Sequence, residues 1–352
     1  MKAFALQKPG CIGWVDAPEP QLTDYGAILR PVAVAPCSSD VHTIWGGSPK
    51  TPNLILGHES VGQVVKTGPC VKDFRPGDIV AVPAITPDWR ALGIQENNSR
   101  HAGAPFSGHQ LGRTAPGVFA EYYSVPDADT TLAKIPDGIT LEQALMCTDV
   151  VTTGFTGAEY ANISIGDVVC VIGIGPVGLM AVAGARLLGA GRIISVGSRE
   201  KCVTLAKEYG STDVIGYRDR DIADQILEMT GGRGADSVII AGGNDEVFAQ
   251  AVKMARYGTG TISNVNYFGG PDSLPLSKFH SGRGMGGKTI HMELAKGGRV
   301  RIERLLEMVR YKRVDPQKLV THHLKGLDRI EEAIYLMKDK PGDLVKVMVT
   351  MN

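Results

Sequence analysis

The sequence predicts an α/β protein in two parts: a doubly wound parallel sheet in its second half, and a β-rich domain built from short, punctuated strands. Three observations predict this. A chain of 352 residues is too long for one ordinary core, so two domains are expected. From residue 167 onward, buried-strand runs alternate with segments of helical spacing. Before residue 150, apolar alternations such as AILRPVAVAP (27–36) and SVGQVVKTG (60–68) are broken by Pro-Gly pairs such as Pro76-Gly77.

Composition narrows the function. Hydrophobic residues make up 43% and charged residues 21%, with a formal net charge of zero. That balance gives no footprint for nucleic acid or an anionic membrane. Six irregularly spaced cysteines do not make a disulfide framework, so a reducing, cytoplasmic setting is expected. The 44 glycines sit beside apolar runs and mark turns and close backbone approaches. The start, MKAFALQKPGCIGW, is a poor signal peptide, and no apolar run reaches the ~18–20 residues of a membrane span.

In the second half, DVVCVIGIG (167–175) reads as a strand buried on both faces, as parallel sheets require. PVGLMAVAGARLLGA (176–190) has helical spacing, RIISVGS (192–198) is the next strand and EKCVTLAKEYG (200–210) the next helix. DVIGY, DIADQILEMT, ADSVIIAGG, DEVFAQAVKMAR and TISNVNYFG continue the alternation, and KTIHMEL (288–294) can be a last strand. RVRIERLLEMVRYKRV (299–314) and DRIEEAIYLMKDK (328–340) are amphipathic helices, and DLVKVMVT (343–350) a final alternating strand. Residues 86–117 are polar and Gly/Pro-punctuated, which predicts a loop or lobe.

The glycines after the first buried strand form G-x-G-x-x-G: Gly173, Ile174, Gly175, Pro176, Val177 and Gly178. A glycine-rich turn alone is a weak sign. Following a strand and opening a helix, it marks a dinucleotide site of the Rossmann type. The first glycine makes the tight turn, the second lets backbone approach a pyrophosphate, and the third lets helix pack on strand. The helix N-terminus then offers free N–H groups to the phosphates. An NAD site would place Asp or Glu at the tip of the second strand. Here the strand RIISV runs into Gly197, Ser198 and Arg199, and Glu200 falls on the following helix. Without that acid a ribose 2′-phosphate meets no repulsion; Arg199 can pair with it and Ser198 can donate to it, so NADP(H) is expected.

Two clusters earlier in the chain carry metal-ligand chemistry: Cys37-Ser38-Ser39-Asp40-Val41-His42 and Gly57-His58-Glu59-Ser60-Val61-Gly62. Thiolate and imidazole are the usual zinc ligands, and a catalytic zinc needs three protein ligands with one open position. Cys147 and Asp149, in MCTDVVTTGF, are both candidates for the third. Asp149 sits in an otherwise apolar stretch, where a buried carboxylate is costly unless paired or metal-bound. Glu59 can be an additional ligand or a base that orients water. No cluster of the C-x-x-C-x-x-C type exists, so a separate structural zinc is not expected.

Together these residues resemble the medium-chain zinc-dependent alcohol dehydrogenases. The signals are C-x-S-D-x-H at 37–42, G-H-E-x-x-G-x-V at 57–64 and the glycine fingerprint at 173–178, in that order. The nearer resemblance is to the microbial NADP-dependent secondary-alcohol dehydrogenases, in VPAITPDWR (82–90), GIGPVGLMAVAGA (173–185), VGSR (196–199), NVNYFG (264–269) and YKRVDPQKLVTH (311–322). It runs over essentially the whole chain.

The resemblance implies a GroES-like catalytic domain from both ends of the chain, 1–152 and 295–352, and a Rossmann domain over 153–294. It implies one catalytic zinc on Cys37, His58 and Asp149, with Glu59 as an intermittent ligand. Asp149 is chosen because it lies four residues before Thr153-Gly154, where relatives place their third ligand. It puts Gly197, Ser198, Arg199 and Tyr217 around the 2′-phosphate, Val265, Asn266 and Tyr267 near the nicotinamide, and Lys340 as a further cofactor contact. A homotetramer is implied. Ser39 would take the hydroxyl proton of an alcohol and pass it through the cofactor ribose to His42 and water. The chain departs from the subgroup at His109, where relatives carry a pocket tryptophan, in loop 91–116, and in KTIHMELAK (288–296).

The expected activity is interconversion of small secondary alcohols and ketones by hydride transfer. Rival readings are a zinc-dependent polyol or bulky-ketone reductase of the same superfamily, a zinc-free quinone reductase, and a non-catalytic NADPH-binding protein. The intact Cys/His/Glu cluster argues against the last two.

Overall fold

Apolar runs without alternation belong on strands covered on both faces, and Val169 to Ile172 are buried throughout. The computed structural model describes residues 1–46, 52–102, 104–218, 220–269 and 272–351. It divides the chain into two units, Met1–Thr152 with Lys296–Asn352, and Thr153–Ala295.

In the second unit, six strands form one sheet in the spatial order Asp213–Ile215, Arg192–Val196, Val168–Ile172, Ser237–Ile240, Thr261–Asn264 and Thr289–Met292. Every pairing is parallel. Numbered along the unit this is 3-2-1-4-5-6, the doubly wound order whose ligands sit where the order reverses, beyond the carboxyl ends of the first and fourth strands. Helices Pro176–Leu187, Glu200–Tyr209, Ile222–Met229 and Glu246–Met254 connect the strands. Ile172, Ile194, Val238, Ile240, Ile226 and Phe248 pack in one buried cluster. The first of these helices stops short of the expected residue 190, ahead of Gly189, whose φ of +99° ends a right-handed helix.

In the first unit, the mixed sheet runs Val320–Lys325, Lys346–Thr350, Ala27–Ala35, Glu59–Thr67, Ile79–Val82 and Ala133–Lys134, with Tyr123–Val125 also paired to Ala27–Ala35. The chain's last strand thus joins its early ones: Val349 lies opposite Val34 and Thr350 opposite Ala33. A second, three-stranded sheet joins Cys11–Asp16, Lys2–Lys8 and Leu54–Ile55. The core takes residues from both ends of the sequence, including Phe4, Leu29, Phe119, Tyr123, Ile334 and Val347. Helix Arg299–Arg310 ends earlier than its amphipathic pattern, because Lys312 turns left-handed at φ 56°. The expected lobe at 86–117 holds only a short 3-10 turn, Leu92–Ile94, among the described residues; residue 103 lies outside them.

Among the described residues, four helices have no counterpart among the sequence expectations: Ser38–Trp45, Ala128–Thr131, Leu141–Thr148 and, directly after it, Val150–Tyr160. The start of the first and the junction of the last two carry the candidate site. Among the described residues, no helix is long and apolar enough to cross a membrane.

Candidate functional site

Cys37 caps the N-terminus of helix Ser38–Trp45, and its N–H donates to Oδ2 of Asp40 at 2.8 Å. Asp40 is buried, and its Oδ1 accepts from the Gly57 N–H at 3.2 Å and lies 3.6 Å from Nδ1 of His58. Asp40 therefore holds the Nδ1 side of the imidazole and leaves Nε2 for another partner, the outer carboxylate–histidine arrangement that orients metal-binding imidazoles. The glycines flanking His58 have steric reasons. Gly57 is left-handed at φ +90°, and a Cβ there would stand 2.5 Å from the Phe119 ring; one on Gly62 would stand 2.3 Å from the Tyr123 hydroxyl.

Asp149 occupies the break between helices Leu141–Thr148 and Val150–Tyr160, with φ −140° and ψ −60°. That irregular residue aims its carboxylate at the cluster: Oδ2 lies 3.7 Å from Nε2 of His58 and 3.7 Å from Sγ of Cys37. Glu59 opens strand Glu59–Thr67 and is fully buried. One ligand atom from each of Cys37, His58, Glu59 and Asp149 lies within 4.8 Å of the others. Cys147, the alternative third donor, is not in this group; it is sealed in the core, and burial alone pushes its thiol up to about 12.

The donor set fits zinc: sulfur, imidazole nitrogen and carboxylate oxygen, mostly removed from water. Its electrostatics favour a cation at the centre. Burial works against a charge on His58, yet Asp40, Asp149 and Cys37 outweigh it and hold its pKa well above the ordinary imidazole value. Burial pushes the Glu59 carboxyl up to about 7, against the pull of Lys346, whose Nζ donates to Glu59 Oε1 at 2.6 Å. The other oxygen, Oε2, is buried without a partner.

Ser39 lies in the first turn of the same helix, its hydroxyl 3.3 Å from Nε2 of His58. His42 follows one turn later and is exposed. Partial desolvation, then the Lys340 charge, lowers its pKa below the ordinary value, so the neutral, proton-accepting form prevails at pH 7. Lys340 belongs to this first unit, at the left-handed residue that ends helix Ile330–Asp339.

In the second unit, Gly173 leaves the first strand at φ +88°, and a Cβ there would stand 2.7 Å from Cα of Gly242. A Cβ on Gly178 would stand 1.7 Å from the Gly173 carbonyl oxygen, so helix Pro176–Leu187 can pack on its strand only with glycine there. Gly175 is different: a Cβ would meet only Nη2 of Arg199, at 3.9 Å. The space over this turn is open and faces a guanidinium, and no side chain caps the helix that Gly175 begins. Backbone N–H groups, helix dipole and arginine are together suited to cradle a phosphate. Ile174 is buried, and a Cβ on Gly197 would stand 2.2 Å from it, which explains glycine at the end of the second strand.

Arg199 caps helix Glu200–Tyr209. Across the turn stands the half-exposed Tyr217, whose phenol is lowered by a hydrogen bond with Ser198 and then by Arg218. The Arg218 guanidinium lies 5.7 Å from the Tyr217 ring centroid. The structure thus gathers Ser198, Arg199 and Tyr217 and adds Arg218, which sequence reasoning missed; its only signal is the place next to Tyr217. After the fifth strand, the Val265 N–H donates to the Ile240 carbonyl at 3.0 Å. Asn266 Nδ2 donates to the Gly243 carbonyl at 3.2 Å, which holds this segment at the same carboxyl edge of the sheet, and the neighbouring Tyr267 is 59% exposed. Lys346 and Asp40 were also missed as site residues; Lys346 contacts Glu59 and Asp40 contacts His58.

With this geometry in hand, the chain can be set beside known proteins. Residues 24–137 match the family described as "Alcohol dehydrogenase GroES-like domain", and residues 176–291 the family described as "Zinc-binding dehydrogenase". Over 352 residues, all of both chains, the sequence is 53% identical to the NADP-dependent isopropanol dehydrogenase of Thermoanaerobacter brockii. It is 51% identical, again over all of both chains, to the enzyme of that name from Clostridium beijerinckii. A solved structure, zinc dependent alcohol dehydrogenase 2 from Streptococcus pneumonia in its apo form, superposes with a TM-score of 0.89 at 28% identity, covering 100% of this chain and 99% of that one.

Proposed function

The chain belongs to the zinc-dependent alcohol dehydrogenase family, and from that premise we propose that it interconverts small secondary alcohols and their ketones with NADP(H) at a single catalytic zinc. The observation that carries the reading is the partly buried quartet Cys37, His58, Glu59 and Asp149 in the first unit; the second unit, taken by itself, has a glycine turn with an arginine and no strand-tip acid.

When bound, zinc supplies Lewis-acid polarisation of a carbonyl and makes a hydroxyl more acidic. NADP(H) supplies or accepts the hydride. The chain's residues do the rest. Cys37, His58 and Asp149 hold the metal, and Asp40 keeps the His58 ring in the tautomer that presents Nε2. Ser39 accepts the proton of the substrate hydroxyl as it releases its own toward His42, and His42, neutral and exposed, takes up that proton and hands one on to water. Gly173 to Gly178 bind the pyrophosphate; Gly197, Ser198, Arg199 and Tyr217, with Arg218, bind the 2′-phosphate end. Val265, Asn266 and Tyr267 line the nicotinamide side, and Lys340 adds a further contact. No second zinc is needed, and a cytoplasmic homotetramer is the expected setting.

The test is initial-rate oxidation of 2-propanol and ethanol with NADP⁺ and with NAD⁺, before and after prolonged treatment with a strong chelator. We expect 2-propanol with NADP⁺ to lead by at least about tenfold, a preference of ~1.4 kcal/mol, and to be lost with the metal. Zinc and NADPH held firmly with neither alcohol turned over would move the substrate elsewhere. NADPH bound without stoichiometric zinc would favour a non-catalytic protein.

One observation favours a second reading, a polyol or bulky-ketone reductase. His109 is partly buried with its ring centroid 5.0 Å from that of His58, and its Nε2 atom is buried without a partner. Burial, then the His58 charge, lowers its pKa to about 3, so it stays neutral and able to share one hydrogen bond. A second hydroxyl on the substrate would satisfy that nitrogen. His109→Phe is then expected to cost 2,3-butanediol about tenfold in kcat/KM, and 2-propanol little, the worth of one buried hydrogen bond. Equal losses on both would dismiss this reading.

A further inference from the structure

A buried ammonium needs a reason. Lys346 stands on the chain's last strand, and its side chain is 1% exposed. Its Nζ reaches Oε1 of Glu59, 287 residues away in sequence, at 2.6 Å, and the Glu59 side chain is 0% exposed. Strand Ala27–Ala35 separates the two strands in the sheet, so Lys346 reaches Glu59 across it. After burial, which opposes its charge, the groups acting on Lys346 are Glu59, Cys37 and Asp149: three members of the quartet.

The charges explain this placement. A divalent cation is balanced by the thiolate of Cys37 and the carboxylate of Asp149, with His58 neutral once it is a ligand. Glu59 is then a surplus negative charge in a site removed from water, and its best partner would be the metal. A fourth protein ligand closes a zinc site, whereas catalysis needs an open position. Glu59 is held by one oxygen alone, while the other is buried without a partner.

Building on the zinc reading above, we propose that Lys346 is a positioning residue: its ammonium neutralises Glu59 and tethers one of its oxygens, so that Glu59 does not settle as a permanent fourth ligand. Without that charge, Glu59 turns to the metal and stays.

The test uses the full-length protein loaded with zinc or cobalt(II). Cobalt reports coordination through its visible absorption, and added imidazole probes for an open position. In Lys346→Met, transfer of zinc to a chelator is expected to slow at least about tenfold, the scale of outer-shell effects on metal sites. The cobalt spectrum is expected to stop responding to imidazole. Lys346→Met combined with Glu59→Gln is expected to recover the response. A wild-type spectrum, imidazole response and zinc-transfer rate in Lys346→Met would overturn the proposal. Should Lys346→Met fail to fold, Lys346→Arg decides: its fork can take both Glu59 oxygens, so zinc transfer is expected to quicken about tenfold, and an unchanged rate overturns the proposal. A wild-type protein that takes up neither metal would instead overturn the zinc reading itself.

Discussion

Replacing Asp149 by alanine is expected to lower kcat for alcohol oxidation by at least about a thousandfold and to leave NADPH affinity within about twofold. Metal polarisation of the substrate oxygen is worth several kcal/mol, and each ~1.4 kcal/mol is a factor of ten in rate, so losing ~4 kcal/mol gives that figure. Asp149 is singled out by geometry: its Oδ2 lies 3.7 Å from Nε2 of His58 and 3.7 Å from Sγ of Cys37. The residues proposed for the pyrophosphate and 2′-phosphate belong to the other unit. The measurements are kcat with 2-propanol, zinc content and NADPH fluorescence titration on the same preparation. Asp149→Cys serves as the control, because a thiolate can occupy the same ligand position and should keep the zinc. Wild-type turnover in the alanine variant would remove Asp149 from the ligand set. Loss of NADPH binding along with activity would mean that the break between the two helices is structural.

The sequence made the second unit legible because each of its elements signals locally. A run such as VVCVI is apolar on both faces only because the strand is covered on both, and the glycines at 173, 175 and 178 mark the turn that follows it. The first unit was less legible. Helix Ser38–Trp45, SSDVHTIW, is short and half-exposed, and its start is set by Asp40, whose side chain turns back to the Cys37 N–H. Helix Leu141–Thr148 breaks at Asp149, and nothing in MCTDVVTTGF says that two helices meet there.

The candidate site divides in the same way. Candidate ligands that announce themselves by type and spacing, Cys37, His58 and Glu59, could be read from the chain. Asp149 came through resemblance, since Cys147 has the more usual zinc chemistry; the structure separates them by burying Cys147 away from the quartet. Partners that pack against a candidate ligand were not legible. Lys346 looks like one more strand lysine in DLVKVMVT until the sheet carries it to Glu59. Asp40 looks like a helix-start acid until its second oxygen is found beside His58. Contacts between residues distant in sequence leave no local period or motif behind them.

Arg199→Asp is expected to change the preference for NADP⁺ over NAD⁺, as the ratio of kcat/KM values, by at least about a thousandfold. Hydrogen bonds to a charged group are worth ~1.5–3 kcal/mol each, and cutting one partner from a desolvated charge pair costs ~2–5 kcal/mol. The variant adds repulsion between a carboxylate and the 2′-phosphate, while the same carboxylate can accept from the unmodified ribose hydroxyls of NAD⁺. The fold should tolerate the change. Arg199 is the N-cap of helix Glu200–Tyr209 and makes no side-chain cap there, whereas aspartate is among the preferred N-caps. A lower Tm is therefore not expected, and thermal melting beside the kinetics separates cofactor recognition from damage. Arg199→Gln divides the effect: it removes the attraction without adding repulsion, and should fall between wild type and the aspartate variant. The neighbouring cation tests the assignment further. Arg218 stands against Tyr217, which is hydrogen-bonded to Ser198, so it can share the phosphate. If the preference is unchanged in Arg199→Asp but collapses in Arg218→Asp, the phosphate sits on the Tyr217 side of the cradle, and the arginine beside Gly175 serves the pyrophosphate instead.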